Sequence, residues 1–215
     1  MSATETERIR HIYDRRAATY DRSIGLTERY LLGSFRQQFG ALLRGDTLEA
    51  GIGSGLNLPF YSSAVARAVG VDLSAEMLAS ARQRADHLGL AIELMQADVE
   101  ALPFADATFD TVAISLTLCT TPQPKAALRE LARVCRPGGQ IVFLEHVLSP
   151  IWPLAAAERL LSPLQERALG CHLDRATIDV AREMGFEMAA EQQRLFGVFR
   201  LAVAKPPRMK PGIPG

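Results

Sequence analysis

The 215-residue sequence predicts an α/β fold: a parallel sheet covered by helices and closed by an antiparallel hairpin. Three observations carry that expectation. Short apolar runs alternate with helix-period segments between residues 46 and 146. The stretch LEAGIGSGLNLPFY, residues 48–61, reads as a strand, a glycine-rich turn and a helix. Two β-patterned stretches near the end are separated by Phe196-Gly197. The size suits one domain, and a formal net charge of zero gives no support to a nucleic-acid partner.

Ahead of the sheet, residues 5–21 and 27–43 have helical patterns. The second segment carries Leu31, Leu32, Phe35, Phe39, Leu42 and Leu43 at helical spacing. Strands are expected at 46–50, 66–72, 91–97, 109–116 and 139–146. Between the second and third lies a helix with Ser74 as its N-cap and Gly89 as its stop. Another helix precedes strand five, with Leu128, Leu131 and Val134 on one face and Pro137-Gly138-Gly139 ending it. Residues 149–169 form an insertion punctuated by Pro150, Pro153 and Pro163. The expected organisation is an N-terminal helical lid (1–44), a ligand-binding domain (45–205) with an acceptor-lid insertion at 147–172, and a proline-rich flexible tail (206–215).

Cys119, Cys135 and Cys171 are odd in number and form no C-x-x-C pair, so they read as thiols of a reducing cytoplasm, with no metal site. The polar N-terminus has no apolar h-region, and no apolar run reaches the roughly 18 residues of a spanning helix. A cytoplasmic protein is expected, with transient contact to a membrane surface.

The glycine run decides between nucleotides. A dinucleotide fingerprint needs a third small residue where this chain has Leu56. Glu49, two residues before Gly51, suits a cationic amino group better than a pyrophosphate. Asp72 closes the second strand, where a carboxylate can bond both ribose hydroxyls, and Asp98 follows the third strand, within reach of an adenine amino group. All three acids fall at the carboxyl edge of the sheet, where such folds bind ligands. Simpler readings stand beside these: a tight turn for the glycines, a helix cap or turn for Asp72 and Asp98, and core packing for Met77.

The segments LEAGIGSGLN, GVDLSAEML, QADVEALPFADATFD and LARVCRPGGQIVFLEH together resemble the class I S-adenosylmethionine (SAM) methyltransferases over residues 45–146. That resemblance implies a Rossmann-like, seven-stranded, mostly parallel sheet with helices on both faces and the last strand antiparallel. It implies SAM as cofactor and S-adenosylhomocysteine (SAH) as product. Gly51, Gly53 and Asn57 would surround the methionine moiety, with Glu49 nearby. Asp72 and Leu73 would meet the ribose, Met77 the adenine face, Asp98 and Val99 the adenine edge, and Leu116 the floor below the sulfonium. An NAD(P)-dependent reductase is the competing class, opposed by Leu56 and Glu49.

For the acceptor, the segment YDRRAATYD repeats Tyr-Asp at an interval of seven, which puts Tyr13 and Tyr20 on one helical face. It resembles the first helix of ubiquinone-pathway and phospholipid methyltransferases. His146 follows strand five and is a candidate base. LTLCT and the region from FLEHVLSP to PLQERALGCHLDRATIDVAREMGF resemble the animal methyltransferase-like proteins that methylate alkyl thiols and associate with lipid surfaces, although their N-terminal anchor has no counterpart here. Trp152, Leu154, Leu160, Leu161 and Leu164 are expected to cover an apolar acceptor pocket. The expected acceptor is a small lipophilic or amphiphilic molecule: a thiol, a phospholipid headgroup amine, or a quinol or small aromatic ring.

Overall fold

The computed structural model describes residues 2–207. Its sheet holds β1 (Gly45–Ala50), β2 (Val65–Asp72), β3 (Glu93–Gln96), β4 (Phe109–Ser115), β5 (Cys135–His146), β6 (Glu187–Arg194) and β7 (Phe199–Lys205). They lie in the order β3-β2-β1-β4-β5-β7-β6. The first five strands pair in parallel, whereas β7 runs antiparallel to both β5 and β6. The order reverses between β1 and β4, so a crevice opens at their carboxyl ends.

Strand alternation sends alternate residues to the two faces, and a different set of helices covers each. On one face Val112, Ile114, Ile141 and Phe143 pack with Leu128, Leu131 and Val134 of α4 (Pro124–Val134) and with Ile178 and Ala181 of α6 (Thr177–Glu183). On the other, Ala113, Val142, Leu144 and Leu201 meet Leu32, Phe35, Phe39 and Leu43. Those four recur at helical spacing on a π-helical turn (Glu28–Leu32), on α2 (Gly33–Leu42) and just beyond it. Each is fully buried, which stabilises the fold by roughly 1.5–3 kcal/mol per side chain. Gly40 lets α2 approach closely, since a Cβ there would stand 2.2 Å from the Phe60 carbonyl oxygen.

Several boundaries differ from the sequence expectation. The two N-terminal helices are one rod: α1 (Ser2–Thr27) runs through Gly25 into the π-helical turn and α2. Gly25 costs about 1 kcal/mol inside a helix, too little to break it, and the extra residue of the π turn absorbs the register change. The Pro137-Gly138-Gly139 run does not stop α4, which ends at Val134. It lies inside β5, opposite an irregular register between Phe109 and Thr111. The insertion is one helix, α5 (Trp152–Leu169), with Pro153 in the first turn, where its missing N–H costs nothing, and Pro163 inside. The expected tail from 208 onward lies outside the described residues. No helix among the described residues is long and apolar enough to cross a membrane.

Candidate active site

The loop after β1 is shaped by backbone geometry that only glycine adopts without strain. Gly51, Gly53 and Gly55 have φ of 72°, 57° and 78°. A Cβ at Gly51 would stand 2.2 Å from the Thr117 hydroxyl, whereas one at Gly53 would meet open space. Asp72, at the end of β2, stitches this loop to the start of α3 (Ala75–Leu88). One of its oxygens accepts from the Gly53 N–H at 2.9 Å and the other from the Ser74 N–H at 2.8 Å. Burial pushes its carboxyl up, and the amides of Ser74, Gly53 and Leu73 pull it back. Ser74 caps α3 by accepting from the Met77 N–H at 3.1 Å, and Gly89 closes the helix in the left-handed conformation at φ 66°.

Glu49 is wholly buried and fully engaged. Its oxygens accept from Asn57 Nδ2 at 2.6 Å and from the Tyr61 hydroxyl. Burial raises its pKa, opposed by those two bonds and by nearby Arg36. Arg36, 5% exposed in the middle of the apolar stripe of α2, donates to Asn57 Oδ1 at 2.7 Å and to the Ser115 hydroxyl at 3.3 Å. Its other nitrogens hold both oxygens of Glu28, at 2.5 and 2.6 Å. A guanidinium on one side and a carboxylate on the other fix the Asn57 amide orientation.

Helix α1 lies across the crevice. Asp14 accepts from the Ser74 hydroxyl at 2.6 Å, and Asp21 from the Ser54 hydroxyl at 2.6 Å, with Arg84 also pairing with Asp21. Thr6, Ile9, Arg10, Tyr13 and Tyr20 face the space below. The tyrosine rings are 6.1 Å apart at 59°, and neither hydroxyl has a protein hydrogen-bond partner among the described residues. Burial pushes Tyr20 up to about 12 and raises Tyr13 well above the usual phenol range, so both are neutral phenols.

The space so formed, about 860 Å³ with its open mouth included, lies between α1 and the loops that follow β1, β2, β3 and β4. Glu49, Gly51, Gly53, Asn57, Asp72, Leu73, Met77, Asp98, Val99 and Leu116 all line it, as do both tyrosines. Asp98 accepts from the Glu100 N–H at 2.9 Å, and Leu116 holds a left-handed φ of 51°, a strained conformation for leucine.

Two expectations fail here. His146 is not part of the lining. Strand parity turns its neighbour Glu145 toward the loop after β4, where it accepts from the Thr117 and Leu118 N–H groups at 3.1 and 3.3 Å. His146 turns the other way, edge-on to Phe199 and 4.0 Å from Glu158. Its pKa is lowered by burial. The apolar residues of the insertion do not cover the cavity either: Trp152, Leu160, Leu161 and Leu164 are exposed, and Leu154 packs against the core. Arg36, Asp14 and Asp21 escaped the sequence reading, although the repeated Tyr-Asp pair contained the signal for both aspartates.

The methyltransferase-domain family matches residues 48–143. A phosphatidylethanolamine N-methyltransferase of Cereibacter sphaeroides is 42% identical over 149 residues, 68% of this chain and 72% of the relative. The chain belongs to the SAM-dependent methyltransferases. A ubiquinone/menaquinone C-methyltransferase of Bdellovibrio bacteriovorus is 36% identical over 145 residues, and the match spans 65% of this methyltransferase and 62% of that relative. A SAM-dependent methyltransferase of Thermotoga maritima shares the fold with a TM-score of 0.69, over 92% of this chain and 99% of that one, at 22% identity. The enzyme's cofactor is therefore SAM.

Proposed function

We propose that this methyltransferase methylates the amino group of an ethanolamine phospholipid presented at a membrane surface. The observation that carries this reading is the pair of adjacent neutral tyrosine rings, 6.1 Å apart, that α1 brings to the cavity. Aromatic faces attract ammonium groups by about 0.5–2 kcal/mol, more as water is excluded. They therefore suit an amine whose positive charge is retained as methyl groups are added. The phosphatidylethanolamine-methylating relative supports the same acceptor.

The cavity residues fit SAM. Each Asp72 oxygen accepts one backbone amide and keeps a lone pair for a ribose hydroxyl. Gly53 leaves the space above the loop open, Met77 and Val99 offer apolar surface to an adenine, and Asp98 an acceptor for its amino group. The Glu49–Asn57 end of the cavity suits the cationic amino-acid moiety. When bound, SAM supplies an electrophilic methyl group. The protein's part is to align the acceptor nitrogen, strip its water and keep it between the rings, which accounts for much of the rate in such transfers. The acceptor ammonium gives its proton to solvent before transfer and regains its charge with the methyl group; the phenols stay protonated near neutrality and hold the acceptor without acting as its base.

The same reading gives α5 its role. Trp152, Ala156, Leu160 and Leu164 follow one another at intervals of four and form a ridge on the exposed face, with Trp152 77%, Leu160 81% and Leu164 69% exposed. Arg159 and Arg167 are exposed on the same helix. An amphipathic surface of this kind rests in a lipid interface.

The experiment supplies methyl-labelled SAM with phosphatidylethanolamine vesicles, with alkyl thiols in buffer, and with a demethylated quinol. Label in the lipid fraction is expected, with Tyr13→Phe retaining most of the turnover and Tyr13→Ala losing at least tenfold. Label only in thiol or quinol would overturn the acceptor and leave the methyltransferase assignment standing.

A further inference from the structure

Outside the cavity, the loop after β4 and the segment after α5 bring two free thiols together. The His172 N–H donates to the Cys119 carbonyl oxygen at 2.9 Å, so the two cysteine-bearing segments run side by side. Covalent geometry on either side of that bond holds the two α-carbons within about 8 Å. The Cys119 thiol donates to the Leu116 carbonyl oxygen at 3.7 Å, and its sulfur lies beside the Cys171 side chain. Arg175 pins the same loop, donating to the carbonyl oxygens of Leu118 at 2.7 Å and Thr121 at 2.5 Å. Cys119 is buried, whereas Cys171 is partly exposed and reachable from solvent. Cys135 is buried in β5 and belongs to neither segment.

We infer that Cys119 and Cys171 form a redox-modification site at which a hydroperoxide closes an intramolecular disulfide between the loop after β4 and the end of α5.

The chemistry divides between the two sulfurs. Cys171 is the sulfur a hydroperoxide meets first, because it is partly exposed whereas Cys119 is buried. The neighbouring Cys119 side chain, with Gln165 and Arg175, lowers the Cys171 pKa against burial, while Cys119 is pushed up. Cys171 therefore attacks and Cys119 resolves. The Cys171 sulfur bonds to one peroxide oxygen as the O–O bond breaks, giving a sulfenic acid and an alcohol or water. The Cys119 sulfur then attacks the Cys171 sulfur. The S–O bond breaks, and the departing hydroxide takes the Cys119 proton as water. Two thiols and one hydroperoxide become one disulfide, one alcohol and one water.

The link would reach the active site by contact. Thr120 and Thr121, directly after Cys119, line the cavity. Gly170, directly before Cys171, abuts α1 so closely that a Cβ would stand 2.3 Å from Ile9 Cδ1. A disulfide here therefore ties the cavity wall to the segment on which α1 rests. Slower methyl transfer is expected, with little change in SAH affinity.

The test treats the full chain with hydrogen peroxide and reads intact mass, peptide mapping and turnover. The expected result is a 119–171 linked peptide, a turnover loss of at least threefold reversed by dithiothreitol, and SAH affinity within about threefold. Cys119→Ser should leave Cys171 as a sulfenic acid trapped by dimedone, Cys171→Ser should leave Cys119 unreacted, and Cys135→Ser should form the link normally. Over-oxidation of Cys171 with no link, or equal oxidation of Cys119 in the Cys171→Ser protein, would overturn the site. A formed link with unchanged turnover would overturn its control of the enzyme.

Discussion

Arg36→Gln is the most informative single change, because one side chain holds four hydrogen bonds that join α2 to the cofactor end of the sheet. The substitution removes both bonds to Glu28, the bond to Asn57 and the longer one to Ser115. Removing one partner of a buried ion pair costs about 3–5 kcal/mol, chiefly because the other charge stays behind. The Glu28 side chain keeps 16% of its exposure, which places the expected loss at the lower end, about 3 kcal/mol. That is a large share of the roughly 5–15 kcal/mol that hold a domain folded. Urea unfolding would show the loss as a lower midpoint at constant slope. The double variant Arg36→Gln with Glu28→Gln leaves no stranded charge and should recover at least about 1.5 kcal/mol relative to the sum of the singles. Asn57 would also lose the guanidinium that orients its amide toward Glu49, so SAH affinity should fall about tenfold in both, equivalent to about 1.4 kcal/mol. Additive singles, with coupling below about 0.5 kcal/mol, would refute the buried-pair account.

Three further expectations follow from the same geometry. Asp72→Ala removes a buried acceptor of two backbone amides and should weaken SAH binding by at least about 100-fold, roughly 3 kcal/mol, by calorimetry; unchanged affinity would undo its assignment to the ribose. Glu145 is raised from 4.5 to about 8, burial being the main cause, so it is neutral in the fold where the unfolded chain has it charged. Its contribution is full below about pH 4.5 and is lost as pH rises through about 8, with a slope of at most about 1.4 kcal/mol per unit. Glu145→Gln should flatten stability against pH across that window, and an unaltered slope would show that the carboxyl is not the source. Asp14→Asn weakens one tie of α1 and should speed SAH release several-fold in stopped flow with little change in melting temperature; an unchanged release rate would mean that α1 does not gate the cavity.

The sheet and the glycine loop could be read ahead of the structure because their determinants are local. Strand runs, the Ser74 cap and the positive-φ glycines each sit within a few residues of what they control. The ten residues expected around the cofactor line one cavity because the strand order brings the carboxyl ends of β3, β2, β1 and β4 side by side. What escaped was set by distance and parity. Arg36 stands between Phe35 and Phe39 with no local signal of its role, since its partners lie 8, 21 and 79 residues away. His146 and Glu145 are adjacent, and the pleat of β5 decided which one met the loop beside the cavity. The prolines of α5 read as breaks, yet packing at Ala155, Glu158 and Ser162 on its buried face holds one helix together.

The Tyr-Asp repeat unites these parts. Seven residues are almost two helical turns, so Tyr13 and Tyr20 share one face while Asp14 and Asp21 share the edge beside it. The tyrosines enter the cavity, and the aspartates reach the serines that follow the two cofactor loops: Ser74, two residues after Asp72, and Ser54, one after Gly53. Asp72 already joins those loops through the Gly53 and Ser74 amides. The result is a closed ring, from Asp72 through Gly53 and Ser54 to Asp21, along α1 to Asp14, and back through Ser74. Any movement of the glycine loop or the α3 cap is therefore felt at the tyrosines. If the tyrosines hold the acceptor as proposed, a cofactor that settles these loops also sets that aromatic wall, and cofactor binding is coupled to acceptor capture through hydrogen bonds.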